Sequence, residues 1–419
     1  MEAVTNFTLT DDQKKALQEI KDWLSKDPMF MIVAGDEDQA ENSDKARFKV
    51  LQGFAGTGKT TLLNYIVTEA KKEGMRIIVT ATTNKAVKVL VDRVDAPDYA
   101  TIHSVLRIRP KEYGEKEVFE PDRSIDRPPL ASYDLVIVDE CSMISQQLLQ
   151  IIRDENPGHV KVLFCGDPAQ LQPINETISH CFSYSPSTLK EVVRHGSAIA
   201  NKATLVRQED RNIDHKELLD GDHISVIKTS DIYPLFESFR LNPDRIRMLS
   251  WTNKRVHHWN DRLRMADYGR RMPPFTTGDI IMANKPCIMK EEIVLMNSEE
   301  GVVQNVHEEE THYVLSVLPN GKDKPVSVRV LKKEYEHELN TTLRDLAIKK
   351  DWRRFWKLKR TYHDIRHCYA MTVHKSQGST FDSVIIDWND VYQNTDDVNR
   401  NQLVYVGMTR AAKRVYIHV

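Results

Sequence analysis

Short apolar runs alternate with longer amphipathic stretches through the first half of the chain. The runs are MFMIVA (29–34), KVLQGF (49–54), RIIVTA (76–81), DLVIVDE (134–140) and VKVLFCGD (160–167). Several are rich in Val and Ile, and each is too short for a helix of its own, so each predicts a buried strand. Between them TTLLNYIVTEAKKEG (60–74) and NKAVKVLVDRV (84–94) repeat apolar residues at helical spacing. Strand, helix, strand in this rhythm predicts a parallel sheet covered by helices. A second α/β segment begins after about residue 180. There RMLSWTN (247–253) and SVIIDWND (383–390) read as strands, and LVYVGMTRAAKRVYIHV (403–419) as helix then strand.

Two stretches break the rhythm. Residues 107–130, RIRPKEYGEKEVFEPDRSIDRPPL, are polar and Pro-rich and read as a small excursion. Residues 277–368 change character. Their first part alternates in the manner of a small antiparallel β-barrel with an Asn-Gly turn, and LNTTLRDLAIKKDWRRFWKLKRTYHDI follows as a charged helical piece. Within it KKDWRRFWKLKR (349–360) mixes basic and aromatic residues. One reading is a surface for stacking on bases and binding phosphates. The other is an amphipathic helix with Trp352, Phe355 and Trp356 facing a core.

Composition narrows the class. Over 419 residues, 40% hydrophobic and 29% charged suits two to four globular domains. There is no apolar run of membrane-spanning length, and the N-terminal MEAVTNFTLTDDQKK lacks a signal-peptide pattern. The five cysteines are scattered without a Cys-x-x-Cys pair, which predicts neither disulfides nor zinc and points to a reducing cytoplasm. A net charge of −2 means that any nucleic-acid partner is held by a local basic groove.

The chemistry starts at GFAGTGKTT (53–61), where Gly53, Gly58, Lys59 and Thr60 fit G-x-x-x-x-G-K-[ST] between a strand and a helix. Glycines let the backbone fold into a nest of N–H donors for phosphates. Gly53, Ala55, Gly56, Thr57, Gly58, Lys59, Thr60 and Thr61 are therefore candidate nucleotide contacts. Lys59 offers a compact charge to the β and γ phosphates, and Thr60 a hydroxyl for Mg²⁺. The strand of DLVIVDE ends in Asp139 and Glu140. Asp139 suits the metal's water shell and Glu140 an attacking water. Together they point to ATP hydrolysis with Mg²⁺ rather than transfer to a small acceptor.

At this point the chain resembles a superfamily 1 DNA helicase of the 5′→3′, RecD/Dda-like branch. LTDDQKKAL (9–17) is similar to the family's adenine-reading motif, with Gln13. TATTNKAV (80–87), TIHSVL (101–106), GDPAQLQPI (166–174), LKEVVRH (189–195), AMTVHKSQGSTFDSVII (370–386) and LVYVGMTRAAKRVYI (403–417) follow as motifs Ia, Ib, III, IV, V and VI. The resemblance implies an ATP-dependent motor that moves 5′→3′ on single-stranded DNA and opens duplex, in replication, recombination or repair. It implies that Gln170 senses the γ-phosphate, that Arg194 and Arg410 steady the transition state, and that Gly378 lies at the nucleotide. The implied strand contacts are Thr82, Thr83, Asn84, Lys85, His103 and Ser104 in the first α/β domain. Thr252, Asn253, Thr372, His374 and Lys375 serve in the second. The implied fold is two RecA-like P-loop domains with two insertions. The first domain is residues 1–106 and 131–180, and the second 181–276 and 369–419. A strand-separating pin (domain 1B) occupies 107–130, with Phe119 as the wedge and Tyr113 as second choice. An SH3-like barrel with a helical extension (domain 2B) occupies 277–368. Implied partners are single-stranded DNA, its junctions with duplex, and single-strand-binding or replisome proteins. A monomer in the cytoplasm of a bacterium or a phage-infected cell is expected. Two alternatives stay open. One is a translocase that strips proteins from single strands without much unwinding, which removal of the pin would reveal. The other is a non-motor nucleic-acid-binding module with a vestigial nucleotide site, which an ATPase assay would decide.

Overall fold

A computed structural model of the chain describes residues 9–26, 44–124, 129–173, 176, 178–193, 198–208, 211–239, 246–269, 272–289 and 292–419. The MFMIVA run and Arg194 lie outside the described residues. The chain divides into two compact units.

The first unit comprises Met1–Arg109, Glu120–Ile213 and Asp397–Thr409. Its six-stranded sheet has the order Asp98–Thr101, Ile77–Ala81, Leu135–Asp139, Lys161–Gly166, Phe48–Gly53, Pro186–Leu189. Every neighbouring pair is parallel. Side chains alternate across a strand, and here both faces are apolar. Leu51, Val79, Ile137 and Leu163 enter one core with the helices Asp11–Leu24 and Lys59–Lys72. Val50, Ile78, Val136, Val138, Val162 and Phe164 enter the other. Continuous apolar runs are what a sheet covered on both faces requires. The sixth strand comes from Pro186–Leu189 and pairs with the phosphate-loop strand. The first unit therefore runs on to Ile213, past the boundary expected at 180.

The second unit comprises Pro110–Phe119, Asp214–Asp396 and Arg410–Val419. Its parallel sheet has the order Ala370–Thr372, Ile246–Ser250, Phe381–Asp387, Ala411–His418, Ile224–Ile227. An antiparallel five-stranded sheet is inserted in it, ordered Val326–Leu331, His312–Pro319, Glu300–Glu308, Ile280–Ala283, Ile365–His367. Its own core holds Ile281, Val303, Leu315, Val317 and Val328. The Asn-Gly turn is present, with Gly321 at φ +74°.

Two buried ion pairs tie the insertion to its host. Arg247 meets Glu300 at 2.8 Å, and Arg264 meets Asp279 at 2.9 Å. Such a pair is costly to break from one side, because the remaining charge is left buried and uncompensated.

Residues 108–121 form a two-stranded hairpin, Ile108–Tyr113 with Lys116–Pro121. Its turn region sits with the helix Trp352–Lys359. Trp356 Nε1 donates to the Gly114 carbonyl at 3.0 Å. Arg360 meets Glu112 at 2.7 Å and Glu117 at 3.0 Å. Phe355 and Trp356 are buried and Trp352 is half-buried, while Arg353, Arg354, Lys357 and Lys359 are exposed. The aromatic side of this helix thus faces protein, and its basic side faces solvent. Among the described residues no helix is long and apolar enough to cross a membrane. All five cysteines are free and buried.

Candidate active site

The strand Phe48–Gly53 delivers the phosphate loop to the carboxyl edge of the first sheet, and the helix Lys59–Lys72 carries the chain away. The helix N-terminus adds unpaired N–H groups and partial positive charge. Backbone geometry explains the glycines. Gly56 and Gly58 have φ +84° and +80°, a region that side chains disfavour. A Cβ on Gly58 would also stand 2.5 Å from Gln13 Nε2, and one on Gly53 would stand 2.9 Å from Leu189 Cβ. Gly58→Ala is expected to cost about 1–3 kcal/mol of stability and to weaken nucleotide binding. Thermal unfolding and titration with a nucleotide analogue check both.

Gln13 clamps the loop. Its Nε2 donates to the Thr57 carbonyl at 2.9 Å, while its Oε1 accepts the Thr10 N–H at 3.0 Å in the helix's capping box. The loop backbone is held from its other side by Val193 N–H, which donates to the Gly56 carbonyl at 2.9 Å. Lys59 Nζ lies against the Gly53 and Phe54 carbonyls, at 2.6 and 3.1 Å. Thr60 opens the helix beside it and Thr61 is exposed.

Asp139 ends the strand Leu135–Asp139 on the same edge of the sheet. Burial pushes its carboxyl above the usual range, opposed by the Glu140 N–H and the Lys59 ammonium. A hydrated Mg²⁺ takes one or two oxygen donors from protein and the rest from water and phosphate, and the Thr60 hydroxyl and Asp139 carboxylate are donors of that type. Glu140 follows with φ +53°, a left-handed conformation rare outside glycine. Backbone strain of this kind clusters at reactive centres. Gln170 is 4% exposed in the turn after the strand Lys161–Gly166. Among the described residues its Oε1 has no hydrogen-bond partner.

The unit therefore brings together Gln13, residues 53–61, Asp139, Glu140 and Gln170. Arg410 and Gly378 belong to the second unit. Arg410 is 7% exposed, with Nη1 donating to the Ser379 carbonyl at 3.4 Å, and Gly378 has φ +72°.

The candidate strand contacts follow parallel strands as polar loops. Thr83 caps the helix Asn84–Arg93, with Asn84 exposed and Lys85 half-buried beside it. Thr82 is half-buried against Met143 Sδ. Thr101 caps the short helix that holds His103 and an exposed Ser104. In the second unit Thr252 caps the helix Asn253–Tyr268, and its hydroxyl donates to Asp390 at 2.8 Å. Thr372 Oγ1 accepts the Lys375 N–H at 3.2 Å. Burial lowers the pKa of His103, His374 and Lys375.

One residue that the motifs did not single out, Asn284, pairs with Lys375. Lys375 Nζ donates to Asn284 Oδ1 at 2.5 Å, and Asn284 in turn donates to Asp364, which also binds Arg366. Asn284 lies in the inserted segment, so no motif spacing points to it.

Phe119 is 52% and Tyr113 55% exposed on the hairpin.

Two family models match the chain. The AAA domain covers residues 36–229, and the UvrD-like helicase C-terminal domain covers 367–418. The chain is 26% identical to the ATP-dependent DNA helicase dda of Enterobacteria phage T4, over 89% of this chain and 94% of that protein. It is 32% identical to the ATP-dependent RecD2 DNA helicase of Deinococcus radiodurans, over 33% of this chain and 18% of that one. Its fold matches Bacteroides Pif1 bound to ssDNA with a TM-score of 0.53 at 16% identity, covering 98% of this chain and 92% of that one. With its ordered motifs and two parallel-sheet units, the chain resembles the superfamily 1 DNA helicases, as its likeness to the dda and RecD2 helicases shows.

Proposed function

We propose that the chain is an ATP-dependent DNA helicase that moves 5′→3′ along single-stranded DNA and opens the duplex it meets. The observation that carries this reading is the convergence of the Lys59 loop, Asp139, Glu140 and Gln170 at one edge of a parallel sheet. The family likeness supplies the nucleic acid and the direction.

In this reading Lys59 and the loop N–H groups hold the β and γ phosphates of ATP. Glu140 orients the attacking water and accepts its proton, and Gln170 senses the γ-phosphate. Thr60 and Asp139 would hold Mg²⁺, which would supply charge neutralisation at the phosphates. Arg410, with Arg194, adds positive charge as the bond to the leaving phosphate breaks. Gln13 and Gly378 line the nucleotide. Thr82, Thr83, Asn84, Lys85, His103 and Ser104 grip one part of the strand. Thr252, Asn253, Thr372, His374 and Lys375 grip another. Two grips whose separation follows the nucleotide cycle make a ratchet.

The hairpin is the pin, with Phe119 as its wedge, and the inserted antiparallel sheet is an SH3-like domain with a helical extension. The two RecA-like domains depart from the boundaries expected above, since the first compact unit runs on to Ile213 and takes in Asp397–Thr409. Single-strand-binding or replisome proteins are natural partners, and a monomer in the cytoplasm of a bacterial or phage-infected cell is the natural form.

The Trp356 and Arg360 contacts give a test. Arg360→Ala removes the guanidinium that pairs with two hairpin carboxylates, Glu112 and Glu117. These pairs are partly exposed, so stability is expected to change by less than about 1 kcal/mol. Unwinding of a tailed duplex is expected to fall several-fold, with ATP hydrolysis on single-stranded DNA unchanged. Equal loss of both activities would contradict the pin role. If the wild-type protein hydrolyses ATP on single strands yet displaces none, it is a translocase instead.

A further inference from the structure

Tyr405 lies on the helix Asp397–Thr409 and is 3% exposed. Its hydroxyl donates to Asp167 Oδ2 at 2.6 Å and accepts the Ala55 N–H at 2.9 Å. Ala55 is inside the phosphate loop. Asp167 is itself fully buried and shapes the turn that carries Gln170. Its Oδ1 accepts the Ala169 N–H at 2.9 Å, and its carbonyl accepts the Gln170 N–H at 3.1 Å. One hydroxyl thus joins the loop that holds phosphates to the turn that aims Gln170.

The surroundings favour a fixed proton. Burial, and the Asp167 carboxylate after it, push the Tyr405 hydroxyl well above its ordinary pKa. The group therefore stays protonated and keeps donating to Asp167. Arg207, on the helix Ala198–Gln208, stacks over the neighbouring loop residue, with its guanidinium carbon 3.2 Å from the centre of the Phe54 ring. It closes the same cluster from another side. Burial is the leading influence on Arg207, and Tyr405 and Asp167 oppose it.

We propose that Tyr405 is a positioning residue for ATP hydrolysis, which acts by clamping Ala55 to Asp167 and so fixing the Gln170 amide relative to the phosphate loop. This rests on the ATPase reading above. The string that contains Tyr405 drew attention only for Arg410, whereas the hydroxyl's partners are 350 and 238 residues away.

The test is Tyr405→Phe, which keeps the buried ring and deletes the hydroxyl. DNA-stimulated hydrolysis is measured as kcat and KM, alongside ADP affinity and thermal unfolding. Misplacing a reacting geometry by a fraction of an ångström costs roughly 10–100-fold in rate. The expected result is a fall of that size in kcat, with the KM for ATP and the affinity for ADP within about threefold of wild type. Asp167→Asn is expected to give a comparable loss, and the double variant little more, because the two groups act as a unit. A wild-type kcat in Tyr405→Phe overturns the proposal, as does a loss confined to KM or to melting temperature. Independent, multiplicative losses in the double variant also overturn it. A wild-type protein that hydrolyses no ATP overturns the ATPase reading and this proposal together.

Discussion

Lys59→Ala is expected to lower DNA-stimulated ATP hydrolysis by about 10²–10³-fold or more and to stop strand displacement. The ammonium is the one compact positive charge that the phosphate loop itself carries. Its two hydrogen bonds to the Gly53 and Phe54 carbonyls show that it already lies along the loop. Losing them leaves partly accessible carbonyls that water can satisfy, so stability should change by only about 1 kcal/mol. Function and folding therefore separate cleanly at this position. Arginine is no substitute, since a planar fork cannot sit where a point charge does. A malachite-green or coupled ATPase assay, with circular dichroism melting alongside, checks both halves.

Arg410→Ala is expected to cost roughly 10³–10⁵ in kcat with a small change in ATP affinity. An arginine that serves the transition state contributes where charge develops, and little to ground-state binding. In the structure Arg410 is almost wholly buried, with its Nη1 directed at the Ser379 carbonyl. Arg410→Lys keeps a charge but loses the fork, so it is expected to recover only a small part of the rate. Single-turnover hydrolysis and fluorescent-nucleotide binding separate the two quantities. A loss of binding equal to the loss of rate would place Arg410 among ground-state contacts.

What was legible in the chain depended on how local its cause was. The strands Ile77–Ala81, Leu135–Asp139 and Lys161–Gly166 were readable because both of their faces are buried, so each is a continuous apolar run. The phosphate loop was readable because its glycines, lysine and threonine act within nine residues. The strand Pro186–Leu189 was not, since PSTL is short and mostly polar and is a strand only through its neighbour Phe48–Gly53. Nor did anything local announce the left-handed Glu140. The contacts of Trp356 and Arg360 with the hairpin span 242 and 243 residues, and that of Tyr405 with Asp167 spans 238. Pairs so distant leave no periodicity to detect. The aromatic run at 352–356 carried two readings because spacing alone does not say what lies opposite a helix face. The Gly114 turn, beside the Trp352 ring and accepting from Trp356 Nε1, supplies that missing partner.

Strand displacement on two partial duplexes, one with a 5′ single-stranded tail and one with a 3′ tail, tests the central claim most directly. Both are offered to the wild-type protein with ATP and Mg²⁺, with Lys59→Ala as the control. The account predicts displacement from the 5′ tail alone and none by the variant. Displacement from the 3′ tail alone would contradict the direction, and displacement by Lys59→Ala at the wild-type rate would contradict the ATP-driven motor itself.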